Sequence, residues 1–241
     1  ADVADLTTLV LIPGLISDGI VWQRLEKRAP LDFATHMAEL SDMTSITGAA
    51  EALLAEVEGP LLPVGHSMGG RIALEMARIA PERVKGLVLA NSGHGPRKDG
   101  EEAKRLAMIA MGHAGMDKLA DQWLPPMLDP ARTSDAGLVS ELKAMVLRAD
   151  ADMHERQIRA LMGRPNATAY LHTIKCPVLL VVGRQDGWSP IAQHQEIADA
   201  VADAELVIIE NAGHFAPVER PNEVTDAIVA WLERKVGARH G

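Results

Sequence analysis

A serine flanked by two glycines is the residue of this chain best suited to covalent chemistry. It lies in the segment Gly65-His66-Ser67-Met68-Gly69, which has the form Gly-x-Ser-x-Gly. A short apolar run precedes this segment, and a helical pattern from Arg71 to Ala80 follows it. A strand, a sharp turn and a helix in this order expose the serine hydroxyl, and the glycines remove side chains that would collide there. The free N–H groups at the start of the helix point to where negative charge would develop. Ser67 is therefore a candidate nucleophile.

A serine hydroxyl is a weak nucleophile at neutral pH, so it needs a general base and an acid that orients the base. Asp186 follows a predicted strand that ends at Val182, and His214 follows the last predicted strand. In a parallel sheet both positions lie at the carboxyl edge, where open α/β sheets bind ligands. Asp186 precedes Gly187, and Asp-Gly is also a common structural turn. Because the chain order Ser, Asp, His is that of a catalytic triad on such a sheet, we predict Asp186 as the acid and His214 as the base.

Other histidines are weaker candidates for the base. His66 adjoins the serine, and the geometry of the turn is predicted to direct it away from Ser67. His94 follows the strand that ends at Ala90 and is a candidate for the pocket edge only. The remaining three lie in or next to a helical segment without strands: His113, His154 and His172.

Two backbone N–H groups are candidates to stabilise an oxyanion. One belongs to Met68, directly after the nucleophile, and the other to Leu15, in the loop after the first strand. Gly14 precedes Leu15 and allows close approach of the main chain. A Pro-Gly turn that simply ends a strand explains the same residues and is compatible with this role.

The elements that position these residues alternate between strand and helix along most of the chain. Predicted strands cover residues 6–12, 32–37, 61–64, 84–90, 177–182 and 206–209. Predicted helices cover residues 19–28, 45–57, 71–80, 189–201 and 221–236. This alternation predicts an α/β fold with a mostly parallel central sheet of about six strands and helices on both faces.

The segment 95–169 breaks the alternation. It shows helical stretches near residues 99–111, 116–124, 135–148 and 153–162 and no strand. We predict a helical cap inserted after the strand that follows the nucleophile helix, with a core formed by residues 1–94 and 170–241. The segment is rich in methionine, at positions 108, 111, 116, 127, 145, 153 and 162. These side chains suit either an adaptable pocket lining or ordinary core filling.

Composition limits the possible partners. The net charge of −9 argues against a nucleic acid or an anionic membrane as partner, and no run of 18 apolar residues predicts a membrane span. The single cysteine, Cys176, excludes an intramolecular disulfide. Sequence motifs for phosphate or metal binding are absent, so we predict neither a cofactor nor a metal. A cytoplasmic location is the expectation, and the oligomeric state is left open.

Together, the three motifs resemble those of the serine α/β-hydrolase superfamily, over nearly the whole chain. The motifs are the turn at Ser67, the loop Gly183-Arg184-Gln185-Asp186 and the pair Gly213-His214. The resemblance implies Ser67 as nucleophile, Asp186 as acid and His214 as base. The chain has Pro13-Gly14 where many members have His-Gly. Members usually begin with an antiparallel hairpin, whereas this sequence starts almost directly at the first predicted strand. A serine nucleophile argues against haloalkane dehalogenase and epoxide hydrolase chemistry, which use Asp at this position.

The small capped members of this superfamily resemble the chain most. They include carboxylesterases, enol-lactone hydrolases, C–C bond hydrolases and cofactor-free perhydrolases. The resemblance implies hydrolysis of a small carboxylic ester or lactone through an acyl-enzyme. C–C hydrolysis or perhydrolysis on the same triad stays open, as does a small-molecule receptor that does not hydrolyse its ligand. The predicted pocket residues are Ser92, Trp123, Trp188 and Phe215.

Overall fold

Six parallel strands form the centre of the protein. The computed structural model describes residues 6–237. The strands are β1 (Thr7–Ile12), β2 (Phe33–Met37), β3 (Leu61–His66), β4 (Leu87–Ala90), β5 (Val178–Gly183) and β6 (Ala204–Ile209). Their order in the sheet is β2-β1-β3-β4-β5-β6, and every neighbouring pair is parallel. The predicted six-stranded α/β sheet is therefore confirmed.

Helices flank this sheet. Their bounds are α1 (Gln23–Arg28), α2 (Ile46–Glu56), α3 (Met68–Ile79), α4 (Glu101–Ala114), α5 (Met116–Trp123), α6 (Ala136–Arg148), α7 (Ala151–Met162), α8 (Ile191–Ala200), α9 (Ala216–Glu219) and α10 (Pro221–Trp231). Helix α1 packs against α10, α2 packs against α3, and α8 contacts β5 and β6. No helix within residues 6–237 is both long enough and apolar enough to cross a membrane.

The strands read as continuous apolar runs because helices cover both faces of the sheet. Every residue of β3, β4 and β5 is buried, whereas β6, at one edge, is mostly half-buried. The core therefore lies along the middle of the sheet, and it holds the main chain rigidly where β3 and β5 end.

Several element boundaries differ from the sequence prediction. Helix α3 begins at Met68, directly after the serine, and not at Arg71. Strand β4 begins at Leu87, since Val84 forms only an isolated bridge with Leu61. The helix predicted over residues 19–28 is divided into a 3₁₀ turn, Gly19–Val21, and α1. The Asp18 carboxylate caps that turn by accepting a hydrogen bond from the Ile20 N–H.

Four helices, α4 to α7, lie between β4 and β5 in the chain. Helix α4 packs against both α5 and α7, and α5 packs against α6. No strand occurs in this segment, because its apolar residues recur with helical spacing. That residues 95–169 act as a cap stays a prediction.

Candidate functional site

The turn at Ser67 joins β3 to α3 with almost no intervening chain. Ser67 has φ 55° and ψ −117°, a left-handed φ that side chains rarely adopt. A Cβ on Gly65 would overlap the main chain of Gly69, and a Cβ on Gly69 would overlap the carbonyl group of Ile12. The two glycines are therefore required sterically, and the strained serine is held by close packing of β1, β3 and α3.

Ser67, His214 and Asp186 form a continuous hydrogen-bonded chain. The Nε2 atom of His214 lies 2.9 Å from Ser67 Oγ, and its Nδ1 atom lies 3.0 Å from Asp186 Oδ2. The loops after β5 and β6 place the acid and the imidazole at the carboxyl edge of the sheet. Residues that are 147 and 28 positions apart in the chain thus meet at one point.

The Asp186 carboxylate is held by four donors. Its Oδ1 atom accepts the N–H groups of Trp188 and Ser189, each at 2.9 Å, and Oδ2 accepts from His214 and from Asn91 Nδ2 at 2.9 Å. Burial raises the pKa of Asp186, but the His214 charge and these hydrogen bonds outweigh it and lower the pKa to about 2. Because the carboxylate is ionised, Nδ1 of His214 must donate, which leaves Nε2 of the neutral ring to accept the Ser67 proton.

The main chain around His214 is fixed from several directions. The His214 N–H donates to the Met127 carbonyl at 2.6 Å, and the Gly213 N–H donates to both carboxylate oxygens of Glu219 at 3.0 Å. The His66 ring lies against His214, and its Nε2 atom donates to the His214 carbonyl at 2.7 Å. Burial and the His214 charge lower the pKa of His66 to about 3, so His66 stays neutral. His66 therefore supports the loop of His214 and makes no hydrogen bond with Ser67.

The other histidines considered from the sequence lie away from Ser67. His94 is bonded to Thr168 and Glu196, and His113 is bonded to Glu155. His154 is buried under α4, and both of its ring nitrogens lack a hydrogen-bond partner among residues 6–237. Within residues 6–237, no three His, Cys, Asp or Glu side chains are grouped so that they could hold a metal ion.

The N–H groups of Leu15 and Met68 lie next to the serine. A Cβ on Gly14 would be only 3.1 Å from the Ser67 Cβ, so the loop after β1 passes directly beside the turn. Met68 is the first residue of α3, where a helix has unsatisfied N–H groups. Neither N–H group donates a hydrogen bond to any residue that the structure describes. Both are therefore free to bind an oxygen atom of a ligand.

A cavity of about 280 Å³ opens over Ser67 and His214. All six residues predicted for the pocket or the oxyanion site line it: Leu15, Met68, Ser92, Trp123, Trp188 and Phe215. Trp188 is half exposed, with 49% of its surface accessible, whereas Phe215 is buried against Trp123 in an edge-to-face contact. Two of the methionines of segment 95–169, Met108 and Met127, also line the cavity.

Sequence reasoning missed two buried side chains that hold the site together. Asn91 donates to Asp186 and, through the same Nδ2 atom, to the Gly213 carbonyl at 3.0 Å. His194 accepts the N–H of Ser92 at 3.1 Å, and the Ser92 hydroxyl donates to the Ser67 carbonyl at 2.8 Å. Asn91 stands in Asn-Ser-Gly directly after a strand, which reads as an ordinary turn. Its left-handed φ of 50° and its burial could not be read from the sequence.

A family model described as the alpha/beta hydrolase family matches residues 9–227. This match includes most of β1, all of β2 to β6, the turn at Ser67 and both loops of the hydrogen-bonded chain. The chain belongs to the alpha/beta hydrolase family. Its membership was predicted from the three motifs and is confirmed.

Individual relatives are distant. The chain is 26% identical over 242 residues to the pimeloyl-acyl-carrier-protein methyl ester esterase of Chromobacterium violaceum, which covers 93% of this chain and 94% of that protein. It is 26% identical over 180 residues to the dihydrolipoyllysine-residue acetyltransferase component of the acetoin cleaving system of Pseudomonas putida, covering 70% of this chain and 45% of that protein. For some curated relatives the chain thus spans only 45% to 66% of their length.

Solved structures share the fold at low identity. A thermophilic esterase from Thermogutta terrifontis superposes with a TM-score of 0.86 at 22% identity, covering 95% of this chain and 90% of that one. The enol-lactonase of Burkholderia xenovorans LB400 superposes with a TM-score of 0.81 at 19% identity, covering 95% and 92%. At these identities the likeness establishes the fold, and the chemistry must be argued from the site.

Proposed function

We propose that this protein hydrolyses a small carboxylic ester or lactone, with Ser67 as nucleophile, His214 as general base and Asp186 as the acid that orients the base. The hydrogen-bonded chain from Ser67 Oγ through His214 to Asp186 carries the proposal. It opens onto a cavity of about 280 Å³, a size that suits a small molecule. Relatives named as a methyl ester esterase and an enol-lactonase support the choice of esters and lactones.

The first half of the reaction forms an acyl-enzyme. The Ser67 oxygen attacks the carbonyl carbon of the ester as its proton passes to His214 Nε2, which produces a tetrahedral oxyanion. When this intermediate collapses, the bond between the carbonyl carbon and the alcohol oxygen breaks. His214 returns the proton to that oxygen, and the alcohol leaves. Asp186 stays ionised and stabilises the imidazolium during this step.

The second half releases the acid. A water molecule attacks the acyl carbon and gives one proton to His214, and the Ser67–acyl bond breaks. His214 then returns the proton to the Ser67 oxygen, so the site is restored. In both halves the N–H groups of Leu15 and Met68 stabilise the oxyanion, because they lie beside the serine and have no partner within the described residues.

Residues 95–169 act in this proposal as a cap that limits the size of the substrate. They supply Met108, Trp123 and Met127 to the cavity that Ser67 and His214 also line. Since thioether side chains fill irregular apolar space, this part of the cavity suits the apolar portion of an acyl or alcohol group.

Hydrolysis of p-nitrophenyl esters of increasing acyl length tests the function. Turnover with a chain-length optimum is expected, and Ser67→Ala should lower kcat by roughly 10⁴- to 10⁶-fold. Ser140→Ala, on an exposed position of α6, is the matched control and should keep the native rate. Native-like turnover by a folded Ser67→Ala variant would contradict the mechanism. If the native protein binds these esters without turnover, the receptor alternative is favoured instead.

A further inference from the structure

One wall of the cavity beside Ser67 is cationic. It consists of Arg71 from α3 and four side chains from the segment between β4 and β5: Lys98, Lys104, Arg105 and Arg164. Glu101 is the only carboxylate among the described residues that line the cavity. The whole chain has a net charge of −9, so this concentration of positive charge is opposite in sign to the protein around it.

Glu101 pairs mainly with Arg164, and its single charge is shared with the neighbouring Arg71 and Arg105. The two guanidinium Nη atoms of Arg164 lie 2.5 and 2.8 Å from the two oxygens of Glu101. Arg164 also donates to the carbonyl groups of Gly95 and Pro96. The Nε atom of Arg105 reaches Glu101 only at 3.5 Å. Arg164 is therefore paired within the protein, whereas most of the positive charge of the other cations in the wall is not balanced by a carboxylate.

Arg71 is the cation that most clearly lacks an anion. Its Nη1 atom donates to the neutral Gly95 carbonyl at 2.8 Å, and it forms no ion pair with any residue in the described part of the chain. Burial, and then the nearby Arg164 charge, lower the pKa of Arg71. A guanidinium nevertheless stays protonated at neutral pH. A largely buried cation without a counter-ion is unfavourable, and a bound anion would relieve that cost.

The position of Arg71 links this charge to the nucleophile. Arg71 lies four residues after Ser67, which is one turn and about 6 Å along the axis of α3. Both side chains line the same cavity. A substrate whose carbonyl group lies at Ser67 can therefore place another group a few ångströms away against Arg71.

We propose that the cavity selects esters or lactones that carry an anionic group, in the simplest case a carboxylate, at the end away from the reacting carbonyl. This inference rests on the proposed function and specifies its substrate class. Arg71 would bind the anion in the paired geometry that guanidinium groups form with carboxylates and phosphates. The ammonium groups of Lys98 and Lys104, exposed at the mouth, would attract it from solution.

Two methyl esters with equal acyl length test the selection. Monomethyl adipate ends in a carboxylate, whereas methyl hexanoate ends in a methyl group. The native protein is expected to show a kcat/KM for monomethyl adipate at least about tenfold higher, since a hydrogen bond to a charged group is worth that much. This ratio should fall as salt is added. A ratio of one or less, together with turnover that depends on Ser67, would overturn the proposal and leave the hydrolase mechanism intact.

Charge-removing variants locate the anion site. Arg71→Gln should lower the adipate-to-hexanoate ratio about tenfold, and Lys104→Gln about two- to threefold. Lys104 is exposed and pairs with no residue that the structure describes, so this variant should fold even if Arg71→Gln does not. Lys27→Gln, on an exposed position of α1, removes the same charge far from the cavity and should leave the ratio unchanged. An unchanged ratio in both cavity variants would contradict the proposal.

Binding without turnover separates this inference from the proposed function. Calorimetry on Ser67→Ala should show tighter binding of monomethyl adipate than of methyl hexanoate. If the native protein hydrolyses neither ester but this difference in binding remains, the proposed function fails and the anion site stands. Equal binding of the two esters would refute the anion site. A phosphonate-ended ester of the same length, bound more tightly than the adipate, would identify phosphate as the preferred anion.

Discussion

Variants of Asn91 should show whether this residue positions the catalytic acid Asp186 or only stabilises the fold. Asn91 Nδ2 donates to Asp186 Oδ2 at 2.9 Å and to the Gly213 carbonyl at 3.0 Å. It thereby joins the acid loop to the loop that carries His214. Asn91 is completely buried and has a left-handed φ of 50°. Asn91 therefore contributes both two hydrogen bonds and an unusual backbone conformation, and two variants, Asn91→Ala and Asn91→Gly, separate these two effects.

The expected loss of stability follows from these contacts. A hydrogen bond to a charged group contributes about 1.5–3 kcal/mol and one to a carbonyl about 1 kcal/mol, so Asn91→Ala should lower the free energy of unfolding by about 2.5–4 kcal/mol. The strain of a Cβ in a left-handed conformation, about 1–2 kcal/mol, is already present in Asn91 and remains in the alanine variant. Asn91→Gly loses the same hydrogen bonds without that penalty, although glycine costs about 0.5–1 kcal/mol of extra chain entropy. The glycine variant should therefore be the more stable of the two.

Both variants should also lose activity. The Oδ2 atom of Asp186 that accepts from Asn91 is the one that accepts from His214. Without Asn91 this oxygen is less firmly placed, so kcat should fall about 10- to 100-fold with little change in KM. Urea unfolding gives the stability of each variant, and steady-state hydrolysis of a p-nitrophenyl ester gives kcat and KM.

Two results would refute this reasoning. If both variants keep the native kcat while losing stability, Asn91 supports the fold and does not position Asp186. If Asn91→Ala is more stable than Asn91→Gly, the strain attributed to the left-handed backbone is absent. Because the same two variants give both answers, neither result depends on comparison with another site.

Three further predictions concern residues around the site. His66 has a pKa of about 3 in the folded protein against 6.5 for the free group, so the stabilisation from its neutral form is complete above pH 6.5 and is lost as the pH falls towards 3. In urea unfolding, the free energy of unfolding of His66→Gln should therefore fall less steeply with acid than that of the native protein, by up to about 1.4 kcal/mol per pH unit. An identical pH slope in the two proteins would contradict this. Gly69→Ala should lower the free energy of unfolding by about 1–3 kcal/mol, since its Cβ would overlap the main chain of β1, whereas Gly187→Ala, with open space around its Cβ, should change it by less than about 0.5 kcal/mol. Glu219→Gln replaces one of the carboxylate oxygens that accept the Gly213 N–H by an amide donor. Calorimetry should therefore show a free energy of unfolding lower by about 1–3 kcal/mol, and kinetics should show a lower kcat. Native values of both quantities would show that Glu219 does not hold the loop of His214 in place.

Local pattern was sufficient to predict most of the fold. The buried strands β1 and β5 have continuous apolar runs, and the helices have apolar residues at helical spacing, so each element could be placed within a few residues. The boundaries that were misplaced depend on contacts outside the element. The start of α3 at Met68 was missed because glycine has a low helix propensity, so Gly69 and Gly70 weaken the helical pattern in the sequence. Here the close packing of the turn requires them.

The candidate site was only partly predictable from the sequence. Ser67, Asp186 and His214 could be proposed because each follows a strand in a short Gly-containing motif. Asn91 could not, since its contact with Asp186 joins residues 95 positions apart. The cationic wall was also missed. Arg71, Lys104 and Arg105 look like the charges of solvated helix faces, and only the folded structure shows that residues of α3 and α4 line one cavity.

Covalent labelling with a fluorophosphonate, followed by mass spectrometry, tests the central claim most directly. An activated serine attacks this reagent, whereas an ordinary serine does not. We expect one adduct per chain, on the peptide that contains Ser67, and slow labelling in His214→Gln, which lacks the base. Labelling at another residue, or an undiminished adduct in Ser67→Ala, would contradict the assignment of Ser67 as the nucleophile.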